Sequence, residues 1–375
     1  MKLRVVVLGA GFGGLELTSI LSESIGDNLD LTLIDQSDTF FFGFSKLDVM
    51  FGHKKADAVK IPYSSIVKPG VKFRKETILG ITPESKVVTT QNGSYEADVL
   101  VVALGANYDF AATPGLNDHG NEYYSFDGAL KLKDLIPNFK KGHAVVGVCG
   151  APFKCPPAPS EGALMLHDYL VSAGVRDACT ITLVIPYGSP IPPSPDSSKA
   201  LIKAFEERSI QFIPQHKVAS LQDKTVVLDD GTELPFDLFL GIPKHVAPDV
   251  VLQSGLTIDG WIPVSRQNLM TSFENVYAIG DVTSVGTPKA GVFAEGAAKI
   301  AAASIIAIYK GKENEAAYTG AGSCYIEFGK GEVARVDVDF FSGPKPFGIH
   351  HDASEALVID KEQFGSSRKA RWFGL

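Results

Sequence analysis

The chain has 375 residues, enough for roughly two or three domains of ordinary size. Hydrophobic residues make up 45% and charged residues 21%, with 37 Gly and 22 Pro, which describes a chain with a substantial buried interior and excludes disordered, collagen-like and low-complexity architectures. Thirty-five basic against 43 acidic side chains leave a net charge of −8, so no nucleic-acid partner is expected. Four cysteines (Cys149, Cys155, Cys179, Cys324) are too few for a disulfide scaffold, and none has the spacing of a metal ligand set, so no metal is expected. The N-terminus enters an apolar strand without the charged, apolar and small-residue succession of an export signal, which predicts a cytoplasmic location. No run of about 18 uninterrupted apolar residues predicts a bilayer span, while attachment to a membrane surface stays open.

The first element is a β-branched strand over 3–8, ending in Gly9-x-Gly11-x-x-Gly14 and followed by a helical pattern from Leu15 to about Leu21. A second apolar run, 29–34, ends at Asp35, about twenty residues beyond the glycines, where a carboxylate can accept from ribose hydroxyls. Strand, glycine turn, helix and acid at these distances predict a dinucleotide-binding unit. Glycines there let the backbone approach a pyrophosphate that the helix N-terminus faces. Residues 86–90 and the turn 91–94 predict a hairpin, which feeds a buried strand ending at Gly105. From about Asn107 to Pro243 the α/β rhythm repeats, with strands expected near 144–148, 180–185 and 225–228, and this region reads as an inserted second domain. A last strand, 275–281, precedes an alanine-rich helix from Phe293 to about Tyr309 that returns the chain to the first fold.

Gly9 to Gly14, the strand ending at Gly105, and Val276-Tyr-Ala-Ile-Gly-Asp281 occur in the order seen in flavoproteins with two dinucleotide domains, which the whole chain resembles. In NADH-using members a second GxGxxG follows the strand that here ends at Cys149. This chain continues Gly150-Ala-Pro-Phe-Lys-Cys-Pro-Pro-Ala-Pro-Ser-Glu161, with four prolines in place of the glycines. Proline offers a phosphate no N–H and fixes its own φ, so NAD(P)H is disfavoured as a substrate. The loop around Cys155, with Cys324-Tyr325 downstream, resembles the sulfide:quinone oxidoreductases and the flavoprotein subunit of flavocytochrome c sulfide dehydrogenase.

That resemblance implies an α/β fold of two Rossmann-like dinucleotide-binding domains. The FAD domain would be discontinuous (1–106 and 244–318), the second domain degenerate (107–243), and 319–375 a small segment carrying a redox cysteine and a membrane interface. It implies FAD held by Gly9, Gly11, Phe12, Gly14, Asp35, Gln36, Ala103, Gly105, Gly280, Asp281, Lys289 and Ala290. It also implies Cys155 and Cys324 as a redox pair, Glu161 as a proton-transfer group and Lys289 beside the flavin. Sulfide would be the substrate and a membrane quinone the acceptor. Quinone-reducing members often carry a third cysteine near the position of Ser125 to Asp127; none is present here, which implies a two-cysteine scheme. Alternative functions are a sulfide dehydrogenase with a cytochrome or other soluble acceptor, a non-catalytic flavin redox sensor, and a type II NADH dehydrogenase; a homo-oligomer is left open.

Taken without the resemblance, each residue has a plainer reading. Cys155, Cys179 and Cys324 read as core thiols, and Cys149 as a resolving thiol or an inert neighbour. Glu161 also reads as a first-turn helix acid, and Lys289 as a solvated turn residue. The cluster Phe40-Phe-Phe-Gly-Phe44 and the tail Arg368 to Leu375 suit either a lipid interface or packing on the flavin wall and core, with equal weight.

Overall fold

The β-branched run Leu3–Leu8 becomes the central strand of a five-stranded parallel sheet in the computed structural model, which describes residues 2–313 and 316–375. It pairs with Leu29–Asp35 on one side (Leu3 opposite Leu29) and with Val99–Val102 on the other (Val5 opposite Val99); Val71–Lys75 and Val276–Ala278 form the edges. Val5, Val7, Leu31, Leu33, Leu100 and Val101 are all buried, as expected of strands covered on both faces. The helices Phe12–Ile25 and Gly291–Tyr309 pack together on one face. Small residues permit this closeness: a Cβ on Gly13 would lie 3.3 Å from the Ala294 carbonyl oxygen. Helix Gly291–Tyr309 is long and apolar enough to cross a membrane by composition alone, yet Ala297, Ala298, Ala301, Ala302 and Ile305 are buried in this packing.

A second parallel sheet has the order Ile210–Ile213, Cys179–Val184, Gly142–Val148, Leu238–Ile242. The expected strand at 225–228 forms, but outside this sheet. Thr225–Leu228 is the middle strand of an antiparallel ribbon with Val218–Gln222 and Glu233–Pro235, its alternation of buried and half-buried residues fitting a sheet with one covered face. A comparable ribbon, Ile78–Thr82, Val87–Thr90 and Gly93–Glu96, sits beside the first sheet.

The C-terminal region is an antiparallel sheet of Gly322–Gly329, Glu332–Asp339 and Phe347–Ser354, whose first strand packs on helix Ala158–Ser172. Helix Glu355–Phe373 crosses this sheet and returns to helix Phe12–Ile25. Here the lipid-interface reading of Trp372 and Phe373 is corrected. Trp372 is fully buried, and its indole Nε1 donates to Glu16 Oε2 at 2.7 Å. Its ring lies 5.3 Å from Phe12 and 5.7 Å from Phe40. Arg371 pairs with Glu16 at 2.8 Å, so the buried glutamate is satisfied from the far end of the chain. Phe40 and Phe42 belong to the same aromatic cluster and are likewise buried.

Candidate active site

The first turn is a backbone cradle. Gly9 has φ +97°, and a Cβ there would lie 2.4 Å from the Ala103 carbonyl oxygen; a Cβ on Gly14 would lie 1.9 Å from the Gly9 carbonyl oxygen. Glycine is therefore required at both positions for strand, turn and helix to close up. Gly11 differs, because nothing lies within 4 Å of an added Cβ. Helix Phe12–Ile25 starts there with no side-chain cap and no acidic residue in its first turn, leaving amide donors directed at that open space. Asp35 accepts from the amides of Ala10 and Ser37, each at 2.8 Å, while burial raises its carboxyl above the ordinary value. Gln36 is exposed at the same strand end. Ala103 and Gly105 follow the neighbouring strand, and Gly280 and Asp281 follow the edge strand, so the glycine turn, Asp35 and these residues all lie at the C-terminal end of one parallel sheet.

The second turn is built differently. Cys155 holds φ +52°, and its amide donates to the Lys289 carbonyl at 2.7 Å, so the cysteine loop is zipped to the segment carrying Lys289 and Ala290. Helix Ala158–Ser172 begins at Pro157 and packs against strand Gly322–Gly329, which carries Cys324. Cys155 and Cys324 are both free thiols packed against one buried cluster. Burial pushes the Cys155 thiol well up, with Glu161 and Cys324 adding to the push and Lys46 opposing it; burial and then Glu161 push Cys324 up to about 12. Glu161 is 3% exposed, accepts from the Glu327 amide at 3.0 Å, and is raised by burial to about 7. A carboxyl at that value beside two thiols can both hold and release a proton near neutral pH. The other two thiols lie elsewhere: Cys149 is buried and pushed up by burial to about 12, and Cys179 is buried at the start of its strand.

Lys289 is not a solvated turn residue. It is 5% exposed; its ammonium donates to the Asp281 carbonyl at 2.5 Å and lies 3.3 Å from the centroid of Trp261. Burial lowers its pKa to about 8. Sequence reasoning missed the groups between this lysine and Cys155. Lys154 donates to the Ala106 carbonyl at 3.0 Å and lies over Tyr108. Lys46 donates to the Tyr124 carbonyl, and burial, followed by Lys154, lowers its pKa to about 7. His245 is 2% exposed, with its ring against Tyr108 and Tyr124. The available signal was a lysine directly after the aromatic run Phe40 to Phe44, where a charge carried into apolar surroundings needs a partner.

The sequence profile of the pyridine nucleotide-disulphide oxidoreductases matches residues 3–304. The chain belongs to this family. It is accordingly an oxidoreductase with FAD as cofactor. The open space at Gly11 and the uncapped helix amides facing it fit the pyrophosphate of such a dinucleotide. Among family members, the chain is 24% identical to the mitochondrial sulfide:quinone oxidoreductase of Mus musculus over 91% of this chain and 79% of the relative. It is 23% identical to that of Dictyostelium discoideum over 99% and 87%. The X-ray structure of the sulfide:quinone oxidoreductase from Aquifex aeolicus superposes with a TM-score of 0.90 at 23% identity, covering 99% of this chain and 92% of that one.

Proposed function

We propose that the chain oxidises sulfide through the Cys155–Cys324 pair and delivers the electrons to a membrane quinone. The observation that carries this reading is that two thiols pack on one buried cluster beside a buried carboxyl of pKa about 7. In this reading the two cysteines cycle between dithiol and disulfide. Hydrosulfide attacks the disulfide, one S–S bond forms as another breaks, and the products are a cysteine persulfide and a thiolate. Glu161 protonates the departing thiolate. A second hydrosulfide then removes the outer sulfur as a hydropersulfide anion. Two thiols remain, and the loss of two electrons and two protons re-forms the disulfide.

FAD supplies, when bound, the two-electron acceptor for that step and the relay to the quinone. Gly9, Gly11, Phe12 and Gly14 would hold its phosphates, Asp35 and Gln36 its ribose, and Ala103, Gly105, Gly280 and Asp281 the chain leading to the ring. Lys289 and Ala290 would lie beside the ring, where the ammonium stabilises developing negative charge. The quinone is drawn from lipid, so the reading includes peripheral attachment at the cytoplasmic face of a membrane. With Trp372 and Phe373 buried, the large apolar residues exposed among the described residues of the C-terminal region are Phe347, Ile349, Ile359 and Leu375.

NADH is disfavoured because prolines and internal hydrogen bonds reduce the donors that the second turn offers. The Cys155 amide is taken by Lys289, the Ala158 amide by Cys155, and the Glu161 amide by Pro157, and the prolines have none. The deciding experiment is anaerobic stopped-flow absorbance of the yellow protein mixed separately with sulfide and with NADH, then with a short-chain quinone. Bleaching of the flavin by sulfide and its restoration by quinone are expected. Bleaching by NADH alone would overturn the reading.

A further inference from the structure

Strand Gly322–Gly329 presents two faces with different company. Cys324, Ile326 and Phe328 pack on the buried cluster that Cys155 also contacts. The alternate residues Ser323 and Tyr325 line a cavity of about 480 Å³ between helices Gly291–Tyr309 and Glu355–Phe373. A polar stripe leaves this cavity along the same face of the sheet. Ser323 lies opposite Asp337 on the next strand, and Arg335 lies opposite His351 on the edge strand. The Ser323 hydroxyl donates to Asp337 Oδ1 at 2.6 Å, and His351 Nε2 donates to Asp337 Oδ2 at 2.6 Å. Arg335 lies 3.2 Å from each of these carboxylate oxygens and donates to Asp360 at 2.8 Å; Asp360 also accepts from Tyr325 at 2.9 Å. The His351 side chain is 36% exposed, so the stripe begins in solvent and ends at the cavity. Packing alone asks for apolar residues on a sheet face that a helix covers. Here an imidazole, a carboxylate and a hydroxyl are in unbroken contact instead, each able to take a proton from one neighbour and give one to the next.

We propose that His351, Asp337 and Ser323 carry protons from solvent to the electron acceptor while it occupies this cavity. This rests on the quinone reading given under Proposed function and adds the residues that complete the acceptor's reduction. The cavity is lined by Val292, two residues beyond the Ala290 that the same reading places beside the flavin ring. A quinone takes up two electrons, which the reduced flavin supplies, and two protons. As negative charge reaches a quinone oxygen, Ser323 gives it the hydroxyl proton and takes one from Asp337 Oδ1. Asp337 takes one at Oδ2 from His351, and His351 takes one from water. One O–H bond forms on the acceptor for each proton lost by solvent, and two such transfers yield the quinol. The carboxylate receives on one oxygen and gives from the other, so it need not rotate. An apolar acceptor that fills the cavity excludes water from its own oxygens, which gives a built path its use. Sulfur chemistry and acceptor protonation then lie on opposite faces of one strand.

The test starts from holoenzyme reduced with one equivalent of dithionite, without sulfide. It is mixed in stopped flow with a short-chain quinone or with ferricyanide, a one-electron acceptor that takes no proton. His351→Ala, Asp337→Asn and Ser323→Ala should each lower the limiting rate of reoxidation by quinone at least about 10-fold. The half-saturating quinone concentration and the ferricyanide rate should stay within about twofold of wild type. Added imidazole should restore most of the His351→Ala rate, which damaged packing would not allow. Ser367→Trp, on the cavity wall, should do the reverse. It should weaken quinone binding to the oxidised holoenzyme at least about 10-fold in a fluorescence titration, whereas the other three variants bind as wild type does. Wild-type quinone rates in all three variants overturn the path, as does equal slowing with both acceptors and no rescue by imidazole. Unchanged quinone binding in Ser367→Trp overturns the cavity as the place of reduction. A wild-type protein that ferricyanide reoxidises and quinone does not overturns the acceptor reading itself.

Discussion

The molecule contains the same strand–turn–helix unit twice, made from opposite materials. In the first, Leu3–Leu8 leads through Gly9 and Gly11 into Phe12–Ile25, and the turn is closed by backbone contacts only glycine allows. In the second, Gly142–Val148 leads through the proline-rich loop into Ala158–Ser172. The first turn starts an uncapped helix; the second spends the Cys155 amide on Lys289 and the Ala158 and Glu161 amides within its own loop and helix, and its four prolines have none. It places a cysteine in the left-handed region at a cost of roughly 1–3 kcal/mol. Topology alone therefore does not assign a ligand. One copy of the unit fits a dinucleotide, and under the proposed function the other presents the Cys155 sulfur instead.

The hardest way to break this comparison is to remove that sulfur. Cys155→Ser should lower the rate of sulfide-driven bleaching at least about 1000-fold, roughly 4 kcal/mol of barrier, with FAD content unchanged. The same loss is expected for Cys324→Ser. Full activity in either variant would return the second turn to a purely structural role.

How much of this was legible in the sequence follows from how local each feature is. Gly9 to Gly14, Asp35 and the proline loop were readable because their effects are set by immediate neighbours, through φ, donors and strand ends. Lys46, Tyr124 and Glu161 converge from three segments far apart in the chain, and no periodicity encodes that meeting. Thr225–Leu228 was legible as a strand but its place in a separate antiparallel ribbon was not, since a short β-branched run carries no record of its partner. For Trp372 the tail composition suited lipid and core equally. What decides it is Glu16, a buried acid on a helix more than 350 residues earlier, whose need for donors Trp372 and Arg371 meet.

Glu161 sharpens the comparison, because it is where the second turn acquires proton chemistry. Its carboxyl is raised from the usual glutamate range to about 7 in the folded protein. The folded state therefore binds more protons than the unfolded one between about pH 4.5 and 7, so stability is greatest on the acid side, falls as pH rises through that window and levels off above it. The whole effect is on the order of 3 kcal/mol. Glu161→Gln should erase that slope in chemical denaturation across about pH 5 to 8. It should also slow bleaching by about 100-fold and flatten the rate profile near neutrality. A variant that loses the stability slope but keeps the wild-type rate profile would leave Glu161 as a buried helix acid with no part in the chemistry.

The smallest effect is the most discriminating, because it separates what the first turn needs to fold from what it needs to bind. Alanine at Gly14 puts a methyl 1.9 Å from the Gly9 carbonyl oxygen, so the backbone must move, at roughly 1–3 kcal/mol, and the apoprotein should melt earlier. Alanine at Gly11 meets nothing within 4 Å, and the residue's φ of −81° suits any side chain. The apoprotein should thus be unchanged or stabilised by up to about 1 kcal/mol. The methyl would nevertheless occupy the space in front of the uncapped amides of Phe12–Ile25. FAD titration of the stripped protein should show affinity about 10-fold weaker than wild type, the expected penalty for lengthening charged hydrogen bonds to a phosphate. Two alanines three residues apart would then fail in different assays, thermal melting for one and cofactor titration for the other. If Gly11→Ala melted as early as Gly14→Ala, the space at Gly11 would belong to the fold, and the distinction between a turn built to bind and a turn built to react would be lost.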